Sequence, residues 1–141
     1  MEEQELREVA ARLHAATIRL LRTLRREDDG SGLSAPRLSA LSVIAFAGPL
    51  SLAELAAAEQ VRPPTMSRIV DALVAAGLVT RRADPRDRRS VRIAVTSRGR
   101  RLMEAGRERR VRALADRLCR LDSSQRVALA RGLDAIELVL R

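Results

Sequence analysis

Thirteen arginines fall between Arg81 and Arg112, opposed only by Asp84, Asp87, Glu104 and Glu108, so this stretch carries an excess of +9. The rest of the chain is neutral. A guanidinium group is a permanently charged, planar fork of donors, well matched to phosphate oxygens and to guanine edges. A solvated helix surface would mix the two signs, whereas one sign gathered in one stretch is the footprint of a surface that meets a polyanion. Every one of the 27 basic residues is Arg, which GC-rich coding explains better than selection for guanidinium chemistry. Membrane binding fits the stretch less well, because it opens with strand-like alternation and holds no Trp or Phe anchor.

No other chemistry is concentrated in this way. His14 has no second His or Cys at metal-ligand spacing, and reads as a surface or interface residue. Cys119 is the only cysteine, so there is no intramolecular disulfide and no CxxC pair; a packed or partly exposed thiol is expected. No carboxylate pair, Ser/His/Asp set or Gly-rich phosphate loop stands in a catalytic context, so neither an enzyme nor a cofactor is expected. The acidic start Glu2-Glu3-Gln4-Glu5 is unlike a signal peptide, and no apolar run reaches the roughly 20 residues that span a bilayer. A cytoplasmic protein with no membrane association is the expectation.

The elements that would position the arginines follow from periodicity. With 141 residues, the chain fits one domain, 1–141, and with Phe46 as the only aromatic side chain the core must be built from Leu, Val, Ala and Ile, which favours helices. Leu6, Val9, Leu13, Ala16, Leu20 and Leu24 recur at helical spacing over 5–26. Asp28-Asp29-Gly30-Ser31-Gly32 breaks that helix, and a second runs from Ser34 or Ala35 to Ala47, ahead of Gly48-Pro49. Ser51 and Glu54 have capping-box spacing and start a short helix to Glu59. Pro63-Pro64 open another after the connection Gln60-Val61-Arg62, and Gly77 ends it. The period then falls to 2: Leu78–Arg82 and Val91–Val95 read as a hairpin. Thr96 or Ser97 caps a long helix to about Leu121, and Asp122 with Gln125 caps the last, to Leu140.

Two helices joined by about three residues are the parts of a helix-turn-helix. Met66, Ile69, Val70 and Leu73 share one arc of the second helix, while Pro64, Thr65, Ser67, Arg68, Asp71 and Ala75 share the other. Small residues there allow close approach to a major-groove floor, and Arg68 is long enough to reach a base or phosphate. An ordinary amphipathic surface helix would look similar, but the basic hairpin directly after it favours nucleic-acid binding.

The run Leu73, Gly77-Leu78-Val79, Arg81, Asp84-Pro85-Arg86-Asp87-Arg88-Arg89, Val95-Thr96 and Gly99 resembles the MarR family of bacterial regulators. Asp84, Arg86, Asp87 and Arg89 match the Asp-x-Arg-Asp-x-Arg pattern of that family's wing. The resemblance implies a mainly α fold with a small β-hairpin: a winged helix-turn-helix lobe over 34–99, and a homodimer formed by helices 5–26 and 107–140. It implies sequence-specific binding of double-stranded DNA, usually as a repressor at a pseudo-palindromic operator. Pro64, Thr65, Ser67 and Arg68 would belong to the recognition helix, and Arg86, Arg88 and Arg89 to the wing, where relatives insert Arg into the minor groove. Asp84 and Asp87 cannot bind phosphate and read as anchors for Arg88, Arg89 or a neighbouring Arg.

Apolar stripes at both chain ends, with Leu6, Leu13, Leu20, Leu133, Ile136 and Leu140 among them, exceed what one small lobe can bury and also point to a dimer. Relatives often bind aromatic or phenolic effectors between the dimer helices and the lobe. With only Phe46 to stack on, a small-molecule effector stays open here. Redox-sensing relatives carry a Cys in the first helix, and this chain has none there. A sequence-indifferent architectural nucleic-acid binder is the alternative reading. A protein-interaction module without DNA binding is a third, against which the intact basic wing argues.

Overall fold

The computed structural model describes residues 2–141. Its elements are α1 (Glu3–Asp28), a 3₁₀ turn (Asp29–Ser31), α2 (Ala35–Ala47), α3 (Leu52–Ala58), α4 (Pro63–Ala75), β1 (Val79–Ala83), β2 (Val91–Val95), α5 (Ser97–Leu118) and α6 (Ser123–Val139). The chain is therefore mainly helical with one two-stranded antiparallel hairpin, and α1 packs on α5. No described helix is long and apolar enough to cross a membrane.

Local chemistry accounts for most of the boundaries. Ser51 accepts the Glu54 N–H while Glu54 accepts the Ser51 N–H, and Asp122 and Gln125 form the same reciprocal pair ahead of α6. Thr96 caps α5 by accepting the Gly99 N–H at 3.0 Å, and its hydroxyl donates to the Gly77 carbonyl at 2.7 Å. Gly77 is left-handed, with φ 72°. Its N–H donates to Val74, and the next N–H, of Leu78, donates to Leu73. This cap closes α4 with two bonds that a left-handed residue makes possible. Leu78 is consumed by it, so β1 begins at Val79, one residue later than the apolar pattern suggests. Similarly α5 stops at Leu118 and not near Leu121, because Arg120 and Leu121 turn back onto the carbonyls of Arg117 and Leu118 before the Asp122 cap.

The core lies wholly in the lobe that runs from α2 to the hairpin. Ala40, Leu41 and Ile44 of α2 meet Leu55 and Ala56 of α3, Met66, Val70 and Leu73 of α4, and Leu78, Val79 and Ile93 of the hairpin. The hairpin pairs Val79 with Val95 and Ala83 with Val91. Leu50 bridges to the free side of β2, exchanging bonds of 3.0 and 2.7 Å with Ile93, so β2 is held on both edges.

Gly99 seats the start of α5 on this lobe. A Cβ there would stand 2.2 Å from the Leu78 carbonyl oxygen and 2.8 Å from Val95 Cγ2. Ala ordinarily gains about 1 kcal/mol over Gly in a helix, but a backbone carbonyl cannot yield without disturbing the α4 cap. Gly99→Ala is expected to destabilise the protein by about 1–3 kcal/mol net. Thermal or urea denaturation checks this, and an unchanged or raised midpoint would show that α5 can shift freely.

Outside the lobe the packing is different. Neither α1 nor α6 contains a buried residue. Leu6, Leu20 and Leu21 of α1 and Val127, Leu133 and Leu138 of α6 are all exposed. No element of the same chain does more than graze α6. The α1 end is tied to α5 by an Arg110–Asp28 ion pair and by Arg109 Nε donating to the Glu27 carbonyl at 3.3 Å. Cys119, at the end of α5, is exposed.

Candidate nucleic-acid interface

Two features define the site: the outer arc of α4 and the loop between β1 and β2. The buried Met66, Val70 and Leu73 fix the rotation of α4 about its axis. Pro64, Thr65, Arg68 and Asp71 are thereby exposed and Ser67 is half-buried, as expected from a 3.6-residue period. The connection from α3 is closed by Gln60, which adopts φ 55°, with Gln60 N–H donating to Ala57 and Val61 N–H to Ala56. Both helices of the pair thus end in the same kind of left-handed cap, the first without a glycine to announce it.

The loop is shaped by its two acids. Asp84 Oδ1 accepts the Arg86 N–H at 2.9 Å, and Asp87 Oδ1 accepts the Arg89 N–H at 3.0 Å. Each is an Asx turn, in which a short carboxylate replaces a backbone partner two residues on. Two backbone bonds, Asp84 N–H to Ser90 and Ser90 N–H to Asp87, close the loop base. Arg86, Arg88 and Arg89 are exposed, and among the described residues none of their guanidinium groups is in an ion pair. The side chain that Asp84 holds is Arg92, on β2; Asp87 holds backbone alone.

Several contributors escape a reading of the sequence. Arg92 donates from Nε to Asp84 and from Nη1 to Glu54, across 38 positions of chain in the second case. Arg81 of β1 pairs with Asp71 of α4, which ties that helix to the hairpin. The alternation Val91-Arg92-Ile93 could have marked Arg92 as facing away from the core, but not what it faces. Glu54 had a sufficient explanation as a helix cap.

The electrostatics follow the hydrogen bonds. The Arg86 N–H, and then Arg92, hold the Asp84 carboxyl below the ordinary aspartate range, while Asp84 in turn raises the Arg92 guanidinium. The Ser51 N–H lowers Glu54, with Arg92 adding to it. A carboxylate depressed in the folded state stabilises fully above its unfolded value, 3.8 for Asp and 4.5 for Glu, and loses that contribution as pH falls through the folded value. Asp84→Asn should therefore lower the melting temperature at neutral pH, and its deficit relative to the parent should shrink below about pH 4. Melting curves from pH 7 to 3 test this; a deficit that stays constant into acid would mean that the Asp84 charge contributes nothing.

Residues 33–91 match the sequence profile of the MarR family, a span that contains α4 and the whole hairpin loop. An HTH-type transcriptional regulator of Mycobacterium tuberculosis is 38% identical over 126 residues, covering 89% of this chain and 88% of that protein. The chain belongs to the MarR family. Members of the MarR family are transcriptional regulators and not enzymes. The MarR fold extends over the full length: a transcriptional regulator from Thermotoga maritima matches with a TM-score of 0.84 at 24% identity, over 98% of this chain and 95% of that one. A variant of MepR from Staphylococcus aureus, solved bound to an oligodeoxyribonucleotide, matches with a TM-score of 0.71 at 17% identity, over 94% and 98% of the two chains. At these identities the two likenesses are of fold.

Proposed function

We propose that this MarR-family regulator represses transcription as a homodimer, each subunit laying α4 in the major groove of one half of a pseudo-palindromic operator and its wing against the flanking minor groove or backbone. The observation that carries this reading is a recognition arc, Pro64, Thr65, Ser67 and Arg68, tied through Asp71–Arg81 to a wing whose three outer arginines are unpaired among the described residues. Unpaired guanidinium groups keep their full charge for phosphates or for the concentrated negative potential of a narrow minor groove. The apolar surfaces of α1 and α6 support the dimer, since a stable monomer rarely leaves so much contiguous apolar surface in water. Repression then needs no further chemistry: an occupied operator excludes the transcription machinery. Such a regulator works in the cytoplasm, where a bacterial genome is.

An effector would have a place to bind. A cleft of about 710 Å³ lies between the end of α1, the start of α2 and α5, lined by Arg25, Asp28, Leu33, Pro36, Met103 and Arg110 among others, none aromatic. Its chemistry favours a ligand held by charge and by Leu and Met surfaces over one held by ring stacking.

Selecting bound sequences from a random duplex pool tests the main reading. Enrichment of an inverted repeat with half-site centres about 10 base pairs apart is the expected result. Tight binding with no enriched sequence would replace this function with that of an architectural DNA binder.

A further inference from the structure

We propose that Arg92 is a positioning residue that fixes the wing to the start of α3, so that the arginines of the loop are presented to DNA at a set place relative to the helix-turn-helix. The inference rests on the reading that the wing contacts DNA. Arg92 itself is a poor candidate for a phosphate contact. It is two-thirds covered, and its charge already faces two carboxylates, Asp84 at 3.0 Å and Glu54 at 2.8 Å.

What those bonds connect is informative. The same Glu54 oxygen that accepts Arg92 Nη1 also accepts the Ser51 N–H at 2.9 Å, at the amino end of α3. On the other side, Asp84 accepts Arg92 Nε through one oxygen and the Arg86 N–H through the other. A continuous relay therefore runs from the α3 backbone through Glu54, Arg92 and Asp84 to the backbone of Arg86, at the start of the wing loop. The loop lies beyond the last strand pair, Ala83–Val91, and its base is closed only by the Asp84–Ser90 and Ser90–Asp87 backbone bonds, neither of which ties it to the helices. A two-stranded hairpin is only marginally rigid by itself. Leu50 braces β2 at Ile93, within the strand, and Arg92 supplies the brace nearer the loop. Only a forked side chain can satisfy both acids at once from two different nitrogens; Lys offers a single ammonium.

A double-mutant cycle on a selected duplex separates positioning from general stability. Arg92→Ala should weaken binding roughly tenfold, the size expected for loosening charge-assisted hydrogen bonds. It should add little further loss when Arg86 and Arg88 are already Ala, yet add fully to Arg68→Ala. Arg92→Lys should rescue little. Hydrogen exchange of the unbound protein supplies a second readout: the Arg86 amide should lose protection in Arg92→Ala while the Val70 and Leu73 amides keep theirs. Unchanged affinity, or a loss that adds equally in both backgrounds with protection lost throughout the lobe, would overturn the inference and leave the wing reading standing. If Arg86→Ala with Arg88→Ala leaves affinity intact, both fall.

Discussion

Leu133→Asp is expected to convert the protein into a folded monomer that binds an operator no better than a single half-site. Leu133 is half exposed on α6, which grazes the rest of its own chain, so a charge there disturbs no intrachain core. In a two-fold dimer the same substitution occurs twice, and each copy would place an unpaired carboxylate against apolar partner surface. A penalty of roughly 3 kcal/mol or more, above a hundredfold in dimer affinity, follows. Leu20→Asp should act similarly from α1. Sedimentation measures the assembly and circular dichroism the fold. A variant that stays dimeric at low micromolar concentration would show that these surfaces are covered by something other than a second copy. A two-fold dimer would also fix the operator: five base pairs inserted at its centre would rotate one half-site by half a turn, and binding should fall toward the half-site value.

Arg68→Ala and the pair Arg86→Ala, Arg88→Ala are expected to fail in different ways. Arg68 projects from the exposed arc of α4, and in a major groove it would meet a donor and acceptor pattern unique to each base pair. Its loss should cost about 1–3 kcal/mol on the selected site and relax preference at one position. The wing pair should weaken selected and random DNA by similar factors, because the backbone and the minor groove carry little sequence information. The slope of log affinity against log salt should become shallower by about 0.9 for each phosphate that an arginine no longer neutralises. Titrations at several salt concentrations on both duplexes read these effects together. Wing variants with unchanged affinity and slope would reduce the +9 excess to a solvated face.

The sequence disclosed most where a local rule applies. Ser51 with Glu54, Asp122 with Gln125 and Thr96 announce their caps at fixed spacings, and Gly77 announces a left-handed end. The Asp84 and Asp87 turns are equally local, but the expectation that both anchor an arginine side chain holds only for Asp84, which binds Arg92; each accepts a backbone N–H two residues on, and for Asp87 that is all. What stayed hidden depends on distance along the chain or on an unexpected residue in a familiar place. Arg92 reaches Glu54 from 38 positions away, Leu50 pairs with a strand far ahead of it, and Gln60 takes a conformation usually given to Gly. The faces of α1 and α6 could be read as apolar, and neither helix has a buried residue within the chain.

The hairpin also bears on behaviour before any DNA is met. Leu50 covers the outer edge of β2 at Ile93 alone, while no other described strand pairs with the outer edge of β1. That edge is five residues long and carries Arg81 and Arg82, both exposed. Short, charged edges repel their own kind. Two free molecules that collide wing to wing would bring like charges together before their backbones could pair, so strand-to-strand aggregation is discouraged. Because Arg81 is already matched by Asp71, Arg82 is the charge expected to keep such edges apart, and neutralising it should lower the concentration at which the free protein begins to precipitate.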